Sequence, residues 1–126
     1  MTKPVPPKLR LRLVFEVGPV GTLSFGPGKA DLLDLIAQHG SISAAARAMG
    51  MSYRRAWLLV DEMNQTFRNP FVESVRGGPQ GGGARLTEDG KAALRYFRDI
   101  EAATINAGAN EIAALSALLR DISGGK

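Results

Sequence analysis

The 126-residue chain contains no cysteine, which excludes a disulfide framework and a thiolate metal site. Histidine is almost as scarce. His39 stands alone, with no second ligand-type residue at metal-binding spacing, and no catalytic or metal role is expected for it. Beside Gly40 at a helix end, it suits capping a carbonyl or complementing the helix dipole. No apolar run approaches the roughly 20 residues that span a bilayer. The N-terminus lacks the apolar stretch of a signal peptide, so a cytoplasmic location is expected. The glycine cluster Gly77-Gly78-Pro79-Gln80-Gly81-Gly82-Gly83 is not followed by Lys-Ser or Lys-Thr, which argues against a phosphate-binding nucleotide loop. With one histidine and no carboxylate pair in an evident pocket, an enzyme has little support. No cofactor is implied.

What the chain does have is basic charge, unevenly placed. The net charge is +4 and the pI about 9.9, which permit an anionic partner without demanding one. Lys3, Lys8, Arg10, Arg12 and Lys29 face only Glu16 in the first 30 residues. Residues 41–98 carry Arg47, Arg54, Arg55, Arg68, Arg76, Arg85, Lys91, Arg95 and Arg98 against a smaller acidic set. The last 28 residues reverse the sign, with Arg120 and Lys126 against Asp99, Glu101, Glu111 and Asp121. The length suits one domain.

Between Gly40 and Met63 the chain reads GSISAAARAMGMSYRRAWLLVDEM. Three alanines favour a helix from about Ile42 to Met49, with Ser41 or Ser43 as its N-cap. Gly50 can take the positive φ that ends it. Ser52 then caps a second helix whose first turn carries Tyr53, Arg54 and Arg55. This is the layout of a helix-turn-helix, whose second helix enters a DNA major groove by its N-terminus. An arginine there can read guanine O6 and N7 in a bidentate contact. Tyr53 suits a phosphate or a thymine methyl, and Ser43 a backbone contact. In the second helix Ala56, Trp57, Val60, Met63 and Phe67 form a stripe read as core, with Trp57 as the packing anchor. Arg47, Arg68, Arg95 and Arg98 are read as solvated helix faces.

Around this unit the pattern predicts mixed α and β structure. MTKPVPPK is proline-rich and expected to be extended or disordered. Leu9, Leu11, Leu13, Phe15 and Val17 alternate at period two, the signature of a half-buried strand. Gly18 to Gly21 reads as a turn and Thr22 to Phe25 as the return strand of a hairpin. Gly26-Pro27-Gly28 should break the chain before a helix from about Lys29 to Gln38. Phe71 to Arg76 and Ala84 to Leu86 read as strands around the glycine cluster, forming a wing whose Arg76 and Arg85 can reach phosphates or a narrow minor groove. A linker between domains is the weaker alternative. Thr87 caps a last helical region, which Ala107-Gly108-Ala109-Asn110 can bend. Ile112, Leu115, Leu118, Leu119 and Ile122 continue an apolar face to the end.

The segment GSISAAARAMGMSYRRAW resembles the N-terminal part of LysR-type regulators. The linked runs SYRRAW, DEMNQ, FVE, GGPQGGG and LTEDG resemble the molybdate-responsive ModE regulators in particular, over about Leu32 to Leu94. The resemblance implies a winged helix-turn-helix dimer. It carries the family's DNA-contacting positions onto Ser43, Ser52, Tyr53, Arg54 and Arg55, and onto a wing comprising Arg76, Gln80 and Arg85. The family appends molybdate-binding domains. Nothing follows Lys126 in this sequence, so these are expected to be absent and direct molybdate sensing is not expected.

The fold class expected is therefore α+β, a winged helix-turn-helix with an N-terminal hairpin and a long C-terminal helical region. Residues 1–8 form an extended N-terminus, 9–98 the winged domain and 99–126 a helical dimerisation segment. The function expected is sequence-specific binding of a palindromic double-stranded DNA operator by a homodimer. The competing expectation is an interaction module that dimerises with other regulators and binds DNA weakly or not at all.

Overall fold

The computed structural model describes residues 8–76 and 82–120. A hairpin opens the fold. Strand β1 (Leu13–Glu16) pairs antiparallel with β2 (Thr22–Phe25) in the register Leu13 opposite Phe25 and Phe15 opposite Leu23. A single 3-10 turn over Gly18–Val20 joins them, flanked by Gly18 and Gly21 at positive φ. Helix α1 (Pro27–His39) follows, then α2 (Ile42–Met49) and α3 (Tyr53–Thr66). Strands β3 (Val72–Val75) and β4 (Gly83–Leu86) form a second antiparallel pair. Helix α4 (Glu88–Ala107) and the short α5 (Ala109–Ser116) complete the described residues.

The core lies where α1, α2, α3, α4 and the second strand pair converge. Leu32, Leu33 and Ile36 of α1, Ala45 and Ala46 of α2, and Ala56, Val60 and Met63 of α3 are buried together. The alanines let the helices approach closely while larger neighbours fill the space. Phe25 packs edge-on against Phe67, Phe71 and Phe97, at 6.2, 6.4 and 5.4 Å between ring centres. Phe67 and Phe71 stack at 4.5 Å. These edge-to-face geometries suit the aromatic quadrupole. Phe25 thereby fastens the hairpin to the helices.

Polar contacts then fix the elements relative to one another. Asn64 on α3 donates from Nδ2 to the Val72 carbonyl at 3.0 Å, and its Oδ1 accepts the Phe71 and Val72 amides at 2.8 and 3.2 Å. One carboxamide thus joins α3 to β3. The Ala84 amide donates to the Gly40 carbonyl at 2.9 Å, seating β4 on the corner between α1 and α2. A Cβ at Gly83 would lie 2.7 Å from that same oxygen, so the close approach requires glycine. Asp31 on α1 accepts from Arg98 of α4 at 2.8 Å and from Arg10 at 3.3 Å, tying three segments together. The hydrogen bond to Asp31 holds the Arg98 guanidinium above the ordinary arginine value, with partial burial opposing it.

Several expectations need correction. The first strand starts at Leu13 and not at Leu9, and Leu9, Phe15 and Val17 are exposed, because no layer among the described residues covers that side of the hairpin. Helix α1 begins at Pro27 and not at Lys29, since proline at the first helical position loses no needed hydrogen bond. Arg98 is no solvated face but the partner of Asp31 and Glu101. Trp57 is 45% exposed and is not a core residue. Its neighbours on α3 explain why: Ala56, Val60 and Met63 point inward, and position 57 lies at the edge of that arc. Residues 1–7 of the N-terminal extension expected over 1–8, the tip residues 77–81 including Gln80, and residues 121–126 lie outside the described residues.

Candidate nucleic-acid interface

Helix α2 matches its expected span, and the choice of cap is resolved. Ser41 Oγ accepts the Ala44 amide at 3.0 Å, which leaves Ser43 exposed on the first turn. Ser43 Oγ accepts from Arg47 at 3.1 Å. Gly50 ends the helix at φ 70°, a left-handed conformation that a side chain would strain. Ser52 Oγ then accepts the Arg55 amide at 3.1 Å and starts α3. Each such cap contributes about 1 kcal/mol. Together they fix the corner between α2 and α3.

The first turn of α3 projects Tyr53, Arg54 and Arg55, all exposed. Among the described residues neither guanidinium has an ion-pair partner. Their position conflicts with helix electrostatics. The N-terminus of a helix carries partial positive charge, and a cation there costs a few tenths to 1 kcal/mol. Helix α4 follows the rule, with Glu88 and Asp89 in its first turn. Helix α3 has no acidic residue there and two arginines instead. A local rule broken without an internal compensation marks a surface kept for something outside the chain.

The wing lies beside this surface. Arg76 is exposed at the end of β3. Arg85 faces Glu73 directly across the strand pair, and its Nε donates to the carboxylate at 2.8 Å. Part of its charge is therefore answered within the chain, which sequence reasoning missed. The register shows it: residues opposite each other on antiparallel strands meet on one face.

Between α2, the start of α3 and the wing runs an open cleft that the sequence did not reveal. Ser41, Ile42, Ser43, Tyr53, Trp57 and Ser74 line it, with the backbone of Gly82 and Gly83. Trp57 and Tyr53, one helical turn apart, form its aromatic wall. Further along, the same groove is bounded by Asp61, Asn64 and Glu73. Of the expected contact residues, the fold brings Ser43 and Tyr53 to the cleft and holds Ser52, Arg54 and Arg55 at the exposed helix start. Arg76 and Arg85 stand on the wing. No group of three acidic or histidine side chains among the described residues could hold a metal ion, and none of the described helices is long and apolar enough to cross a membrane.

Comparison with known proteins agrees with this geometry. At 37% identity over 98 residues, the chain resembles the molybdenum transport protein ModE of Herbaspirillum seropedicae, covering 73% of this chain and 36% of that protein. It is 42% identical over 87 residues to the molybdenum-pterin-binding protein MopA of Rhodobacter capsulatus, covering 69% of the chain and 33% of the relative. The DNA-binding transcriptional dual regulator ModE of Escherichia coli K12 is 42% identical over 71 residues, which are 56% of this chain and 27% of that regulator. The chain thus spans about a third of the length of these relatives. In fold it is similar to Streptococcus pneumoniae FabT, solved in complex with DNA, with a TM-score of 0.52 at 14% identity over 74% of this chain and 69% of FabT. The profile of the bacterial regulatory helix-turn-helix proteins of the lysR family matches residues 29–91, half of the sequence and every element from α1 to the start of α4, and the chain belongs to that family.

Proposed function

We propose that the chain is the DNA-binding part of a sequence-specific transcriptional regulator of the ModE type. It works in the cytoplasm as a homodimer on a palindromic double-stranded operator. The observation that carries this reading is the pair of exposed arginines at the positive end of α3. In this reading α3 enters the major groove from Ser52, and Arg54 or Arg55 reads guanine. Tyr53, Ser43 and Ser52 hold the phosphate backbone, and the wing adds sequence-independent affinity through Arg76, Gln80 and Arg85. The dimer is supported by apolar surface that nothing among the described residues covers. Leu115 and Leu118 are 68% and 80% exposed, Leu119 stands beside them, and Val14 and Phe15 stand out on the hairpin. Leu115 and Leu119 share a groove with Leu9. We assign residues 99–126 to that interface and 9–98 to the winged domain.

The same apolar surface also favours the second reading, a module that pairs with other regulators and touches DNA weakly. Sequencing DNA fragments that co-purify with the protein, followed by gel shifts with excess competitor DNA, separates the two. A shift that survives competitor and falls steeply with salt is expected. Loss of every shift at low competitor would refute the DNA reading.

A further inference from the structure

Trp57 is the single tryptophan of the chain, it is nearly half exposed, and no packing role explains its place. Its indole N–H donates to no side chain or carbonyl among the described residues. What sets it apart from the other exposed apolar side chains is its place on the cleft wall, where a bound molecule would cover it.

The chemistry of the cleft differs on the two sides of the ring. Toward the start of α3 the lining is uncharged and carries hydroxyl donors on Ser43, Tyr53 and Ser74. Toward the middle of α3 it turns acidic, with Asp61 and Glu73. The first side suits an anion better than the second, where Asp61 stands beside the Arg85-paired Glu73. Indole offers one donor at its edge and an apolar face. That combination matches a phosphodiester linked to a deoxyribose: N–H to the phosphate oxygen, ring face to the sugar.

Resting on the DNA-binding reading above, we propose that the cleft is a seat for one DNA phosphodiester, with Trp57 and Tyr53 as its phosphate-contacting and sugar-covering residues. Trp57 is then a positioning residue that sets the register of α3 in the groove, and it adds affinity without adding charge. Its Nε1 replaces a contact that a lysine or arginine would otherwise supply, so its removal leaves the salt dependence intact.

The lone indole provides the test. The full chain is titrated with a fluorescently labelled duplex selected from a random-sequence pool, and binding is read from the label while Trp57 emission is read separately under acrylamide quenching. Trp57 should become several-fold less quenchable on the bound duplex. Trp57→Phe should weaken binding about tenfold on selected and scrambled duplexes alike, the loss of one hydrogen bond to a charged group, with an unchanged slope of affinity against salt. Ethylation of one backbone phosphate should interfere with binding by the wild-type chain and not by Trp57→Phe. A bound duplex that leaves Trp57 as quenchable as in the free protein overturns the seat while leaving DNA binding standing. So does a Trp57→Phe protein that binds as tightly as wild type with the same ethylation pattern. If the labelled duplex does not bind at all, the DNA reading itself fails and takes the seat with it.

Discussion

Gly90 sits in the first turn of α4, donating its amide to Thr87 Oγ1 at 3.0 Å. Its φ is not positive, so backbone preference alone recommends alanine there. On helix propensity, Gly90→Ala should stabilise the protein by up to about 1 kcal/mol. The packing predicts the opposite sign. A Cβ at this position would collide with the Phe71 carbonyl oxygen and lie 3.0 and 3.2 Å from the Phe71 carbonyl carbon and Cα. That oxygen also accepts the Thr87 amide at 2.9 Å, so it cannot turn aside without breaking the join between the wing and α4. Overpacking of this kind costs about 1–3 kcal/mol, and a clash with hydrogen-bonded backbone belongs at the upper end. The net expectation is a loss of about 2 kcal/mol after the propensity gain. In urea unfolding followed by circular dichroism at fixed protein concentration, the midpoint should fall by about 1 M for a slope near 2 kcal/mol/M. A Gly90→Ala protein as stable as wild type, or more so, would refute the tight seating of α4 on the Phe71 backbone just before β3.

The remaining predictions concern the interface and the core. Arg55→Ala should lower the ratio of affinities for selected over scrambled duplex by about 1–3 kcal/mol, whereas Arg85→Ala should weaken both alike; competition gel shifts distinguish them. Glu73→Gln should tighten binding by up to about 1 kcal/mol, because it frees the Arg85 guanidinium and removes a carboxylate from the cleft; unchanged affinity in fluorescence anisotropy would rule this out. Phe97→Ala should destabilise by about 3–5 kcal/mol and Trp57→Ala by clearly less, since only the first ring is fully enclosed; equal losses in chemical unfolding would contradict the burial. Leu115→Lys together with Leu119→Lys should yield a monomer in sedimentation velocity, and a persisting dimer would move the interface elsewhere.

The features legible in the sequence are those fixed by short-range chemistry. Ser52, Thr87, Gly50 and the turn around Gly18 and Gly21 lie where cap and turn preferences put them, and α2 keeps its expected ends. Trp57 escaped because a hydrophobic stripe marks an arc of a helix and cannot say which residue sits at its margin. The Arg98 pairing is not legible in sequence because Asp31, 67 positions away, meets it only through the packing of α1 on α4. The Arg85–Glu73 pair needed a register that alternation alone does not set, since it depends on the length of the connection. The cleft itself is made by three segments brought together in space, and no single stretch of sequence announces it.

Asn64 carries a consequence for how a duplex can be held. Its three hydrogen bonds fix the spacing between α3, the helix proposed to enter the groove, and the neighbouring strand pair. A protein so braced cannot stretch to follow a groove that is too wide or too flat. Any misfit must be taken up by bending or twisting of the nucleic acid, whose stiffness depends on its base steps. Under the proposed function, sites would then be ranked by pliability at positions the side chains never touch, as well as by direct base contacts.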